Sequence, residues 1–300
     1  MQAAHIDIQK TLCNGCGICV RVCPARAFSI VAEKAELSGS CSFACDHCAA
    51  ACPAVAITVT FKEPREPFSF TSFVDKTPTK QSPVEMPGML NLMRARRSCR
   101  AYKERPLKRE ILEDLVKIGL TAPSGTNSQK WTFTIINSRV KVLSFGEMIA
   151  AYYQKLNRLS ESLWLRKGLK LCGRPELDTY YREYYESIKE GMISWYEKKE
   201  DRLFHGAPAA ILVGSQPGAS CPQEDALLAT QNMLLGAQAL GLGSCLIGFA
   251  VEALRRDRKI KESLKIPAHE KIYAVIALGY PAITFPRPAG RRKAEIRWSS

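Results

Sequence analysis

The cysteines constrain this chain more than any other feature. Eight of its 12 cysteines lie between Cys13 and Cys52, and their pattern repeats. Cys16, Cys19, Cys23, Pro24, Ala25 and Ala27 recur 29 positions later as Cys45, Cys48, Cys52, Pro53, Ala54 and Ala56. Each half then runs into a β-prone segment, Phe28–Val31 and Ile57–Thr60. Halves this short cannot bury a core of their own, so the repeat predicts a pseudo-symmetric minidomain stapled through its thiols. No basic stretch followed by an apolar one opens the sequence, so no export signal is expected. Metal ligation is then a better reading of the thiols than a disulfide framework.

The first half reads Cys13-x2-Cys16-x2-Cys19-x3-Cys23-Pro24, and the second Cys41-x3-Cys45-x2-Cys48-x3-Cys52-Pro53. Three thiolates in a tight loop can hold three corners of an iron–sulfur cubane, with the cysteine before proline serving the other cluster. Zinc is the alternative. It favours two separated ligand pairs per ion, whereas this chain offers triplets, each with a fourth cysteine ahead of a proline. Over residues 3–61 the chain resembles the bacterial two-cluster ferredoxin family. The resemblance implies one [4Fe–4S] cluster on Cys13, Cys16, Cys19 and Cys52, and a second on Cys41, Cys45, Cys48 and Cys23. The second motif departs from the family pattern by one extra residue between Cys41 and Cys45.

The organisation expected along the chain is a ferredoxin domain at 1–61, a Pro-punctuated linker at 62–87 and a larger domain at 88–300. Within the larger domain, apolar periodicity predicts helices at Leu107–Leu120, Gln223–Leu240 and Val251–Ser263, and two helices within Glu147–Lys199. Apolar runs predict strands at Trp131–Ile136, Ala209–Val213, Ser244–Ile247 and Ile272–Leu278.

Three segments of this domain carry chemistry. Arg96-Arg97-Ser98-Cys99-Arg100 groups guanidinium forks with a hydroxyl, which suits a phosphate. Ala122–Trp131 is a turn-rich loop with amide and hydroxyl groups able to read the edge of a planar heterocycle. Gly241-Leu242-Gly243-Ser244-Cys245-Leu246-Ile247-Gly248 offers backbone that a ligand could approach closely. It does not follow a strand, so it is not a Rossmann fingerprint.

Together, in this order, the three segments and Ala277-Leu278-Gly279-Tyr280-Pro281 resemble the FMN-dependent nitroreductase family over residues 88–298. The resemblance implies an α+β fold with an antiparallel sheet, a homodimer, and FMN at the subunit interface. It implies that Arg96 and Ser98, with Arg97 beside them, bind the FMN phosphate, and that Arg100 faces the ring edge where charge develops on reduction. Pro123, Ser124 and Asn127 would contact the ring, and the backbone of Ile247 and Gly248 would lie near its reactive nitrogen. Arg291 or Arg292 would close over the phosphate. Lys130 stands where the family has proline.

Other residues have plainer readings. Cys99 and Cys245 read as small packing residues, and Cys172 and Cys221 as unpaired thiols. His47 reads as a solvated histidine, with tuning of a cluster as the rival. Tyr180, Tyr181, Tyr184, Tyr185 and Tyr196 could cover a flavin or simply pack a helix surface, and the sequence leaves both open.

Net charge is +14, from 43 basic and 29 acidic residues. Two clusters with their thiolates would contribute about −4 and a flavin phosphate about −2, so dispersed basic residues and anionic cofactors explain the charge without nucleic acid. No apolar run reaches membrane-spanning length, and a cytoplasmic protein is expected.

The function expected is electron transfer from iron–sulfur clusters to FMN and on to a small organic acceptor, a nitroaromatic or quinone. The donor would be reduced ferredoxin or NAD(P)H. The rivals are an NAD(P)H-dependent nitroreductase with the ferredoxin domain as a side port, and an electron-transfer module that docks on a larger redox enzyme.

Overall fold

The computed structural model describes residues 4–61, 69–74, 85–287 and 289–299. Most of the expected linker, including Pro64, Pro67, Pro78 and Pro83, lies outside the described residues. The chain forms two compact units. The smaller gathers residues 1–69, 123–129 and 218–221, and the larger gathers 70–122, 130–217 and 222–300.

In the small unit the chain order is β1 (His5–Ile8), α1 (Ile18–Val22), β2 (Phe28–Val31), β3 (Lys34–Leu37), α2 (His47–Ala50) and β4 (Ile57–Thr60). Strand β1 pairs antiparallel with β4, and β2 with β3. The sequence repeat is also a repeat of backbone conformation. Left-handed residues stand at Gly15 and Ala44, Gly17 and Asp46, and Arg26 and Val55, each pair 29 apart. In both halves a turn closes with the same bond, Arg26 N–H to Cys23 O and Val55 N–H to Cys52 O, each at 3.1 Å. Gly15 has no substitute in its half: a Cβ there would lie 2.3 Å from the carbonyl oxygen of Glu33. A small core of Ile6, Ala27, Phe28, Ala35, Ala56 and Ile57 packs against the thiols.

The large unit continues with α3 (Met86–Ala95), α4 (Arg109–Gly119), β5 (Trp131–Ile136), α5 (Arg139–Glu161), α6 (Leu163–Leu171), α7 (Glu176–Glu183), α8 (Tyr185–Tyr196), β6 (Ala209–Ser215), α9 (Pro222–Ala239), β7 (Gly243–Leu246), α10 (Gly248–Arg256), α11 (Arg258–Ser263) and β8 (Lys271–Gly279). Its sheet is antiparallel, in the order β5-β6-β8-β7. Strand β6 is buried along its whole length, which explains its unbroken apolar run. Alternate residues serve two cores. Ala210 and Leu212 join Phe145, Ile149, Phe204 and Val275 on one side. Ala209, Ile211 and Val213 join Leu112, Leu115, Met233 and Ile276 on the other. Each such buried side chain contributes about 1.5–3 kcal/mol from removal of apolar surface.

Two helical expectations are corrected. The region Glu147–Lys199 holds parts of four helices, because capping residues interrupt it. The Ser162 hydroxyl accepts the N–H of Leu165 and starts α6, and left-handed Gly173 followed by Pro175 separates α6 from α7. Val251–Ser263 is likewise two helices, broken at Asp257, whose carboxylate accepts the N–H of Lys259 at 2.9 Å.

Candidate functional site

The small unit gathers several of its thiols. Cys13, Cys16, Cys19 and Cys52 line one cavity together with Gly15, Gly17 and Ala35. Among the described residues no group of His, Cys, Asp or Glu side chains is placed to hold a single metal ion; these four thiols ring a cavity instead. Burial pushes the Cys48 thiol up to about 11, with Cys41 and Cys23 close enough to add to the effect. Backbone N–H groups point at the sulfurs: Ala35 to Cys13 at 3.3 Å, Ala27 to Cys23 at 3.4 Å and Ala56 to Cys52 at 3.3 Å. The Ala35 and Gly15 amides hold the Cys13 thiol below its ordinary value, which favours thiolate. Such amide-to-sulfur bonds are how a protein tunes a thiolate-bound cluster. His47 is exposed at the start of α2.

The loop of residues 123–129 belongs to the same unit. Pro123 is exposed, and the Ser124 hydroxyl accepts the N–H of Gln129 at 3.1 Å. Thr126, Asn127 and Gln129 are all left-handed, a concentration of backbone strain that marks functional loops. The Asn127 amide donates to the carbonyls of Phe43 and Ala44 and accepts from the Gln129 side chain. Its polar atoms therefore have protein partners.

In the large unit, packing unites two of the expected segments. Ser98 bridges to Ser244, and Cys99 N–H donates to the Ser244 carbonyl at 2.9 Å, so Arg96–Arg100 runs beside β7. Gly243 is required by this packing: a Cβ there would sit 2.6 Å from the Cys99 sulfur. Its role is to admit Cys99. Cys99 and Cys245 are core residues, as their plainer reading held. Burial pushes the Cys245 thiol up, while Arg100, Ser98 and Arg96 around it act in the opposite sense.

Arg97 is half-buried, and its Nε is sealed from solvent without a hydrogen-bond partner among the described residues. Its guanidinium lies 5.1 Å from the centre of the Phe285 ring, and Nη2 donates to the Arg287 carbonyl at 3.4 Å. A buried, orphaned guanidinium N–H calls for an anionic acceptor, and a phosphate fits that need. Arg291 and Arg292 are exposed on the irregular tail, and Arg291 donates to the adjacent Gly290 carbonyl.

A cavity of about 1020 Å³ opens in this unit, with Arg100, Cys245, Ile247 and Gly248 in its wall. Ile247 N–H is committed to the Val275 carbonyl at 2.8 Å. The first N–H groups of α10, beginning with Gly248, have no intrahelical acceptor and can serve a ligand. The tyrosine stretch is split between the cavity and a helix surface. Tyr180 and Tyr184 line the cavity beside Tyr153 and Phe249. Tyr181 and Tyr185 pack on each other, and Tyr185 donates to Glu161. Much of the wall escaped sequence reasoning: Tyr152, Leu165, Leu169, Arg202 and Phe249 come from segments with no shared motif. Lys130 donates to the Pro217 carbonyl at 3.0 Å, a tie that proline could not make.

Comparison with known proteins agrees with this geometry. Residues 93–280 match the model of the nitroreductase family, and residues 5–28 match that of a 4Fe-4S binding domain. A 4-nitrobenzoate reductase of Nocardioides is 26% identical over 212 residues, covering 65% of this chain and 81% of that protein. An NADH dehydrogenase of Thermus thermophilus is 26% identical over 188 residues, covering 62% and 83%. A nitroreductase of Bacteroides fragilis solved with bound FMN shares the fold, with a TM-score of 0.52 at 23% identity over 70% of this chain and 98% of that one. The chain belongs to the nitroreductase family.

Proposed function

We propose that this member of the nitroreductase family is an oxidoreductase that binds FMN and two [4Fe–4S] clusters and reduces a small organic acceptor of nitroaromatic or quinone type. When bound, the clusters would supply single electrons and FMN would collect two and release them to the acceptor. The observation that carries the reading is the buried, unpaired Nε of Arg97, on a segment tied through Ser98 and Ser244 to the cavity-lining stretch Cys245–Gly248.

The chain's own residues have distinct tasks. Arg96, Arg97 and Ser98 hold the phosphate, through charge-assisted bonds that each contribute about 1.5–3 kcal/mol. Arg100, exposed at the cavity wall, supplies positive charge where the ring edge becomes anionic. Gly248 presents an N–H at a helix N-terminus, and a Cβ at that position would meet nothing within 4 Å. The apolar wall of Leu156, Tyr153 and Phe249 excludes water. Cys13, Cys16, Cys19 and Cys52 hold one cluster and Cys23, Cys41, Cys45 and Cys48 the other.

Reduced ferredoxin is the donor this arrangement favours. NAD(P)H is the second reading, favoured by the name of the Thermus relative. Exposed apolar side chains on α3, Met86, Met89, Leu90 and Met93, suit burial in a homodimer. No helix among the described residues is long and apolar enough to cross a membrane, and a cytoplasmic setting is consistent with thiol-held clusters.

The test is anaerobic purification with iron, sulfide and FMN assays, followed by turnover of the wild type and Cys45→Ser with each donor. About eight irons and one FMN per chain are expected. Cys45→Ser should slow turnover from reduced ferredoxin, while a small chemical reductant that reaches FMN directly should still work within about tenfold. Equal loss with both donors would make the cysteine module structural. Stoichiometric zinc without sulfide would remove the clusters altogether. Ultracentrifugation tests the dimer, and a flavin-replete monomer would contradict it.

A further inference from the structure

The large cavity has a second end that the flavin reading leaves unexplained. At about 1020 Å³ it stands at the top of the usual range for ligand pockets, roughly 300–1,000 Å³. Arg100 and Cys245–Gly248 form one part of its wall. Another part comes from α5, α6 and α7, with Leu156, Leu159, Leu165, Leu169, Leu177 and Tyr180. These side chains are not packed shut. Leu159, Leu165 and Phe249 are 44%, 38% and 41% exposed. Large apolar groups left open around a cavity mark a place where an apolar body is buried on binding.

The wall is also built rather than loose. Asp178 on α7 accepts from Arg166 and Lys170 of α6 at 3.3 and 3.4 Å, and from Arg182 on its own helix, so the two helices are pinned together. In another part of the wall, the Asp201 carboxylate accepts the N–H groups of Leu203, Phe204 and Gly206 at 3.0, 2.7 and 3.2 Å and pairs with Arg139 at 2.7 Å. This carboxylate fixes a turn in which His205 and Gly206 are both left-handed, and it sets Arg202 and His205 in the cavity wall.

The charge there is unbalanced. Four arginines and two glutamates line the cavity. Arg256 is paired with Glu252, and Glu176 acts on the same guanidinium. Arg100 is assigned to the flavin edge. Arg174 and Arg202 remain, and among the described residues neither side chain has a hydrogen bond or ion pair. Burial holds His205 below its ordinary value, and Arg100 and Arg202 push it the same way against Asp201, so the imidazole adds no charge of its own at neutral pH. Unpaired guanidinium groups at the edge of an apolar cavity select a negative group attached to an apolar body.

We propose that the α5–α7 end of this cavity binds an extended apolar anion, larger than one ring, with the apolar body on the leucines and the anionic group on an unpaired arginine of the cavity lining, Arg174 or Arg202. This rests on the reading that the other end receives the flavin, and it narrows the acceptor class from any small nitroarene or quinone to multi-ring or long apolar acids.

The test is equilibrium dialysis of the full-length, FMN-loaded protein against three probes: anilinonaphthalene sulfonate, its uncharged parent phenylnaphthylamine, and benzenesulfonate. The naphthalene sulfonate should bind about tenfold more tightly than either of the others. The double variant Arg174→Ala/Arg202→Ala should lose that tenfold advantage while phenylnaphthylamine binding stays unchanged. Leu165→Arg, which puts a charge into the apolar wall, should weaken both naphthalene probes. Equal binding of the charged and uncharged naphthalenes would overturn the anion site. Benzenesulfonate binding as tightly as anilinonaphthalene sulfonate would overturn the extended apolar body. Sulfonate binding unaltered in the double variant would overturn the assignment of the arginines. FMN content is assayed on the same samples, so loss of flavin with probe selectivity intact would count against the flavin reading alone.

Discussion

The side-chain amide of Asn127 donates to the backbone carbonyl of Ala44 at 2.8 Å. Ala44 immediately precedes Cys45 and is left-handed, with φ of 45°. It occupies the repeat position that Gly15 holds in the first half, and an L-residue there costs about 1–2 kcal/mol. The clamp lies in the half with the extra residue between Cys41 and Cys45. It gives a strained cysteine loop an external support.

Asn127→Ala should therefore disturb the second cysteine quartet. Losing a hydrogen bond that holds strained backbone should cost about 1–3 kcal/mol. The check is the low-temperature EPR spectrum of reduced protein, together with the iron-to-flavin ratio after gel filtration. Altered cluster signals with FMN retained are expected. Loss of FMN with unchanged cluster spectra would return Asn127 to the ring contact that the family resemblance implies.

The two halves should respond oppositely to exchange at the matched positions. Gly15→Ala places a Cβ 2.3 Å from the Glu33 carbonyl at φ +69°, so cluster content on purification should fall sharply. Ala44→Gly removes the left-handed penalty, and slower loss of iron to a chelator is expected, by about the factor that 1 kcal/mol allows. Faster loss from Ala44→Gly would show that the clamp, and not the backbone preference, governs this loop.

Arg96→Ala and Arg97→Ala should release FMN while both clusters stay. Each guanidinium bond to a phosphate is expected to change affinity by one to two decades, from about 1.5–3 kcal/mol. Flavin retained after dialysis is the measurement. For Arg97, truncation also removes a buried N–H without a partner among the described residues, so the flavin-free protein should lose no stability while the flavin is lost. Undiminished flavin in both variants would take this segment out of the site.

Acid should loosen the start of the large unit through Asp114. The carboxyl is fully buried. Burial alone would push it up, but the Ser72 hydroxyl and the N–H groups of Ser72 and Thr71, with Lys117, hold it below the ordinary 3.8. A carboxyl depressed by folding contributes stability that is complete above its unfolded value and is lost as pH falls below about 3.8 toward the folded value. Asp114→Ala should cost about 1–3 kcal/mol at neutral pH by leaving those donors unpaired, and should flatten the acid limb of a melting-temperature profile between roughly pH 4 and pH 2. An acid limb of unchanged slope would assign that sensitivity to other carboxylates.

Local chemistry was legible in the residues. Strand β5 runs from Trp131 to Ile136 as expected, and β2 and β4 end each half of the repeat at the expected residues. The cysteine repeat was readable because its spacing is a property of a few adjacent turns, while the pairing of Cys52 with the first triplet rested on the ferredoxin resemblance. Strand and helix periods are likewise set within a handful of residues. The breaks at Ser162 and Asp257 were not read, because a cap and a surface polar residue look alike until the N–H that meets the side chain is known.

What only the tertiary structure decided involves groups far apart in the chain. Gly243 reads as room for a ligand, and packing shows that it makes room for Cys99. Asn127 reads as a ring contact, and its amide meets a cysteine loop 83 positions away. Arg174 and Arg202 belong to no motif, yet the helix pair pinned by Asp178 and the turn fixed by Asp201 bring both to the lining of one cavity. Hydrogen-bond partners and close approaches depend on which surfaces fold against each other. That choice is made by burial of the β6 and β8 faces between the two helical layers. The sequence therefore determined which chemistry this chain can hold, and the packing of the sheet decided which side chains are free to perform it.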